Sequence, residues 1–165
     1  MSGHAVLSPS SADRWLTCPG SVLATRGLES SSEWAAEGTL AHSVAEHIAR
    51  HKTRHGLEPL RSEAEARGWD FDAMVEAGTT WATIIGKVRK TSHTKPSVTL
   101  LECRLTTGIE ECWGTADAVI ISENRVDVLD FKYGAGVAVE VEHNTQLRLY
   151  GLAALNSFDG LLGDI

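Results

Sequence analysis

The groups that could do chemistry crowd into residues 117 to 132, where Asp117, Asp130 and Lys132 stand among apolar neighbours. Ser122-Glu123-Asn124-Arg125 separates two apolar runs and reads as a tight hairpin, with Glu123-Asn124 as its two-residue loop. In that register Ile121 faces Val126, Val119 faces Val128 and Asp117 faces Asp130. Side chains alternate along a strand, so all six share one face and Lys132 returns to it. Directly opposed Cβ atoms are ~4.5–5.5 Å apart, where like charges repel. Two aspartates closing an otherwise apolar face therefore call for a cation. Lys132 supplies one charge. A divalent metal is the stronger solution, because Mg²⁺ takes hard oxygen ligands. The structural alternative is a hairpin slipped by one residue, or aspartates that reach solvent at a sheet edge.

The chain that must position these groups has 165 residues, enough for one domain with a continuous core. It carries 15 Lys and Arg against 22 Asp and Glu, a formal charge of −7. That balance is awkward for a protein holding a polyanion, whose affinity comes largely from phosphate neutralisation. Local fields still count, and two stretches are basic: Arg50, Lys52 and Arg54, then Lys87, Arg89, Lys90 and Lys95. Cys18, Cys103 and Cys112 form no CxxC pair, so they read as reduced thiols rather than a zinc knuckle or a disulfide framework. No run approaches the ~18 apolar residues of a membrane span, and the N-terminus lacks the pattern of a secretory signal. A cytoplasmic location is the default expectation.

Elements follow from punctuation and periodicity. Ser8-Pro9 starts a helix that stops near Cys18, before Pro19. A second helix, capped by one of Ser30 to Ser32, is predicted to run to about Arg54 with Trp34, Ala41, Val44, Ala45 and Ile48 inward. Gly56 to Gly68 reads as a polar connection. A third helix covers roughly Asp70 to Lys90, with Phe71, Met74, Val75, Gly78, Ala82, Ile85 and Val88 inward. After Pro96 the texture turns to strands: Val98 to Leu105, Cys112 to Ser122, Arg125 to Tyr133, and an alternating segment at Val137, Val139 and Val141. Asn144 caps a final helix from Thr145 to about Asn156. The class is α+β: helices over residues 1–95, then a mixed sheet of three to four strands and a helix over 96–165.

Gly114-Thr115-Ala116-Asp117, followed after the hairpin by Asp130-Phe131-Lys132, resembles the two core motifs of the PD-(D/E)XK nucleases, and within them the RecB-like exonuclease group. Further elements fit in order. Ser8-Pro9-Ser10 with Trp15 and Cys18-Pro19 resembles the N-terminal element of that group, and Gly38-Thr39-Leu40-Ala41-His42 its G-x-x-x-H motif. Glu102 matches an additional acidic position, and Gln146-Leu147-Arg148-Leu149-Tyr150 the QxxxY element. The texture through Lys132-Tyr133-Gly134-Ala135-Gly136-Val137 is similar to phage- and prophage-encoded nuclease-like proteins.

The resemblance implies a single nuclease domain over 1–165 with a restriction-endonuclease-like core, hydrolysing phosphodiester bonds in DNA during recombination, repair or processing. It implies that His42, Asp117, Asp130, Glu102 and the Phe131 carbonyl hold one or two Mg²⁺ or Mn²⁺ ions, and that Lys132 orients the attacking water or offsets charge. Gln146 and Tyr150, four apart on one helix face, would meet DNA or the catalytic lysine, or merely pack. DNA is the implied partner, with a homo-oligomer or a recombinase as further ones. Some relatives build an iron–sulfur cluster from an early cysteine and three late ones. Here no cysteine follows Cys112, so none is expected. The family fold adds a strand after the last helix, which Gly160 to Ile165 would supply unless the form is truncated. The rival function is a non-catalytic nucleic-acid-binding or assembly module that keeps the fold.

Overall fold

The structure is a computed structural model that describes residues 5–27, 32–92, 95–134, 140 and 142–158. It is α+β, and the chain divides into two compact units.

The first unit joins the N-terminal turns to the sheet and the last helix. Pro9–Ser11 makes one 3₁₀ turn and leads into α1 (Ala12–Thr17). Pro9 sits in the first turn, where its missing N–H costs nothing. Cys18 ends α1 in an extended conformation ahead of Pro19, and a short α2 (Gly20–Ala24) follows. Strands β1 (Val98–Thr106), β2 (Trp113–Ser122) and β3 (Arg125–Leu129) form an antiparallel sheet in the order β1-β2-β3. Among the described residues the sheet is wholly antiparallel rather than mixed; the expected strand at Val137, Val139 and Val141 lies outside them. So does Gly160 to Ile165. Helix α6 (Thr145–Phe158) packs on all three strands. Its start is set by Asn144, whose Oδ1 accepts from Leu147 N at 2.9 Å. The core of this unit is Leu105, Ala116, Val119 and Ile121 from the sheet against Tyr150, Ala153 and Ala154 from α6.

The hairpin has the expected register: Ile121 pairs with Val126 and Val119 with Val128 across a Glu123-Asn124 turn. The ladder nevertheless stops at Ala118–Leu129, so β3 does not run on to Tyr133. Asp117 and Asp130 would have been the next pair. Opposed carboxylates repel at that spacing, and the chain leaves the strand there. Alternation therefore cannot be extended to place Lys132 on the face of Asp130.

The second unit contains the three longer early helices together with residues 131–134. Helix α3 (Glu33–His51) is capped by Ser32, which accepts from Ala35 N at 3.1 Å, and ends at Lys52 with a left-handed φ of 56°. Helix α5 (Phe71–Ser92) packs along α3, and Asp70 Oδ1 caps it at Ala73 N. The two helices touch at Gly78, where an added Cβ would stand 3.0 Å from Ala45 Cα.

Three expectations are corrected here. The polar connection from Gly56 to Gly68 is α4 (Glu58–Arg67), with Pro59 in its first turn and Gly68 at φ 71° as its stop. It buries little besides Ala64 and carries Arg61–Glu65 and Arg67–Glu63 pairs four apart, so no apolar stripe announces it. Trp34 is 74% exposed, because the buried stripe of α3 begins only at Leu40. In α5 Phe71, Met74, Val75, Gly78 and Ile85 are buried as expected, but Trp81 is buried too, while Ala82 and Val88 are only half-buried.

Candidate functional site

The site in the first unit is built where β1 and β2 lose their regularity. Pairing on either side of Glu102 keeps one register, Leu101 with Ala118 and Cys103 with Ala116, which sets Glu102 opposite Asp117. Glu102 has φ 50°, a left-handed conformation that costs a side chain ~1–2 kcal/mol. The core takes Leu100 before it and Cys103 and Leu105 after it. A period of two cannot serve residues 100, 103 and 105 together. The same break occurs in β2, which sends Ala116, then Val119 and Ile121, to that core. The two strands exchange faces together, and the two carboxylates stand at the exchange, with oxygens within 4.8 Å of one another. Backbone strain held by the surrounding pairing at a charged pair marks functional sites more often than structural ones.

Asp130 is reached from α6. The side-chain amide of Gln146 donates to Asp130 Oδ1 at 2.7 Å. One turn further on, the Tyr150 hydroxyl donates to the carbonyl of Thr115 at 2.8 Å, two residues before Asp117. The phenol is pushed up to about 12, first by burial and then by the negative charges of Asp130 and Asp117, with Glu102 adding less and the Gln146 side chain opposing. One buried phenol thus feels all three carboxylates. It stays protonated at neutral pH, so Tyr150 holds β2 in place and does not carry protons.

Sequence reasoning did not anticipate why Gly114 precedes this site. A Cβ there would lie 2.9 Å from Tyr150 Oη and 3.0 Å from Pro9 Cδ. The glycine lets the proline turn and the tyrosine close over the start of β2. The signal was present in Pro9, Gly114 and Tyr150, but only as three separate motifs.

In the second unit His42 lies half-buried on α3, its ring edge-on to Phe131 at 5.1 Å between centroids. Phe131 is buried and also meets Trp81, with centroids 5.5 Å apart. Lys132 is exposed. Burial raises the Tyr133 phenol, helped by Glu37 and Asp70.

The carboxylates of Glu102 and Asp117 are hard oxygen donors, which suit Mg²⁺ and Mn²⁺ and suit soft metals poorly. The three cysteines are free thiols, and Cys103 is raised by burial. No helix among the described residues is long and apolar enough to cross a membrane. No solved structure matches the chain. A family model described as protein of unknown function (DUF2800) matches residues 4–165, and the chain belongs to that family.

Proposed function

We propose that the chain is a metal-dependent DNA nuclease of the PD-(D/E)XK type with a restriction-endonuclease-like core, acting as an exonuclease within the cell. The observation that carries the reading is the approach of the Glu102 and Asp117 carboxylates to within 4.8 Å of one another, with Gln146 bonded to Asp130. These are the acidic and QxxxY positions of the resemblance. Glu102 stands in a left-handed backbone beside a second carboxylate, an arrangement that a bound cation would stabilise.

Asp117, Glu102 and Asp130 would hold one or two Mg²⁺ or Mn²⁺ ions. His42 and the Phe131 carbonyl join them on the resemblance. When bound, such an ion acidifies a water and neutralises phosphate charge. The chain's own groups do the rest. Gln146 helps to fix the orientation of the Asp130 carboxylate. Tyr150 anchors the Thr115 carbonyl and with it the strand that carries Asp117. Lys132 offers a compact ammonium with three donors to orient the attacking water or offset charge on the phosphate.

The test is cleavage of end-labelled linear and circular DNA with Mg²⁺, Mn²⁺ or EDTA, comparing wild type with Asp117→Ala, Asp130→Ala and Lys132→Ala. Metal-dependent loss of linear substrate that disappears in each variant supports the reading. Activity that survives the chelator and the substitutions ends it.

A further inference from the structure

On the solvent side of the same strand pair, Arg104 lies over the ring of Trp113, its guanidinium carbon 3.7 Å from the centroid. The pairing explains the contact. Arg104 faces Thr115 and Thr106 faces Trp113, so Arg104 and Trp113 are diagonal neighbours on one face. Diagonal partners are within reach of long and aromatic side chains. The opposite face carries Leu105 and Ala116 into the core, while Arg104, Thr106 and Thr115 are exposed and Trp113 half-buried.

Two features set this pair apart from an ordinary surface arginine. Among the described residues no carboxylate pairs with Arg104, whereas Arg50, Arg61, Arg67 and Arg125 each hold one. The neighbouring Glu102 is turned toward Asp117 instead. Arg104 is also two residues from Glu102, about 6.6 Å along a strand. A guanidinium seated over an indole has less rotamer freedom left to lose, and its planar fork of N–H donors suits phosphate.

We propose that Arg104, seated on Trp113, binds the phosphate next to the one being cleaved and so forms the first step of a nucleic-acid track leading to Glu102 and Asp117. The inference rests on the nuclease reading and deepens it by naming a substrate-positioning pair. It also answers the charge problem: a chain at −7 needs a local cation at the site rather than an overall excess.

The experiment measures binding of a fluorescein-labelled single-stranded oligonucleotide by anisotropy in EDTA across a salt series, with steady-state cleavage in Mn²⁺ alongside. The proteins are wild type, Arg104→Gln, Arg104→Lys and Trp113→Ala, each checked for its thermal midpoint. Arg104→Gln is expected to weaken binding about tenfold and to lower the slope of log Kd against log salt by about 0.7, the signature of one lost phosphate contact on a single strand. KM should rise by a similar factor while kcat changes little. Arg104→Lys keeps the charge and the slope but loses the planar seat, giving a smaller loss. Trp113→Ala keeps the arginine and weakens binding through its lost support. Cleavage by Arg104→Gln with wild-type KM and salt slope overturns the inference and leaves the nuclease reading standing. Wild-type protein that neither binds nor cleaves the strand overturns both.

Discussion

Gln146 and Asp130 are 2.7 Å apart, amide nitrogen to carboxylate oxygen, and this bond ties the first turn of α6 to the point where β3 ends. Asp130 lies just past the end of the ladder, where strand pairing no longer fixes its backbone. The amide holds the carboxylate without adding charge.

Gln146→Leu should therefore leave the fold in place and loosen the site. A hydrogen bond to a charged group is worth ~1.5–3 kcal/mol, and loss of an outer partner of a metal ligand typically costs ~10- to 100-fold in affinity or activity. Mn²⁺ titrations of cleavage should show a higher half-saturating concentration. Gln146→Glu should be worse than Gln146→Leu, because it sets a second carboxylate against Asp130. Unchanged metal dependence in both variants would remove Gln146 from the site.

Gly114→Ala places a methyl group 2.9–3.0 Å from Tyr150 and Pro9. Overpacking of this kind costs ~1–3 kcal/mol, which urea unfolding would read as a lower midpoint with the same slope. Tyr150→Phe loses the bond to Thr115, ~1 kcal/mol. The double variant should lose less than the sum, since the hydroxyl is one of the atoms the new methyl meets. Full additivity would mean that residues 114 and 150 do not touch.

Metal binding and charge repulsion predict opposite effects of one substitution. In metal-free protein, Asp117→Asn relieves the close approach to Glu102 and should leave the thermal midpoint equal or higher. Wild type should gain ~2.7 kcal/mol at a hundredfold excess of Mn²⁺ over Kd, a shift of several degrees, and Asp117→Asn should gain none. An equal Mn²⁺ shift in both proteins would place the ion elsewhere.

Glu102→Gly tests the strain directly. Glycine adopts φ 50° without penalty, so this variant should melt above Glu102→Ala by about 1 kcal/mol. Both should lose Mn²⁺-dependent cleavage. If the alanine variant is the more stable of the two, the backbone at 102 is not held left-handed in solution.

The Tyr150 phenol sets the alkaline limit. Its pKa in the folded chain, about 12, lies above the ordinary tyrosine value of ~10, so the native state holds the proton more tightly than the unfolded one. That contribution to stability is complete below pH ~10 and is lost as pH rises toward 12. The chain has two tyrosines, so the alkaline difference spectrum of wild type minus Tyr150→Phe isolates this one. A midpoint near 10 would mean that the ring is open to solvent.

The hairpin register, the caps at Asn144 and at one of Ser30 to Ser32, and the stop near Cys18 were legible in the chain, whereas Asp70 was read only as the approximate start of its helix. Each depends on neighbours a few residues away: two-residue turn chemistry, a side-chain oxygen over three amides, a proline after a helix. What the fold decided was non-local. Whether Trp34 or Trp81 is buried depends on where a second helix lies, and both positions look alike in periodicity. The ladder ends at Leu129, one residue short of Asp130, and the alternation breaks at Glu102 because the core takes Leu100 and Cys103 on one side. Gln146, Gly114 and Pro9 acquire their roles only when α6 closes on the sheet. Residue types and spacing supplied the acidic groups; packing between distant segments supplied their geometry.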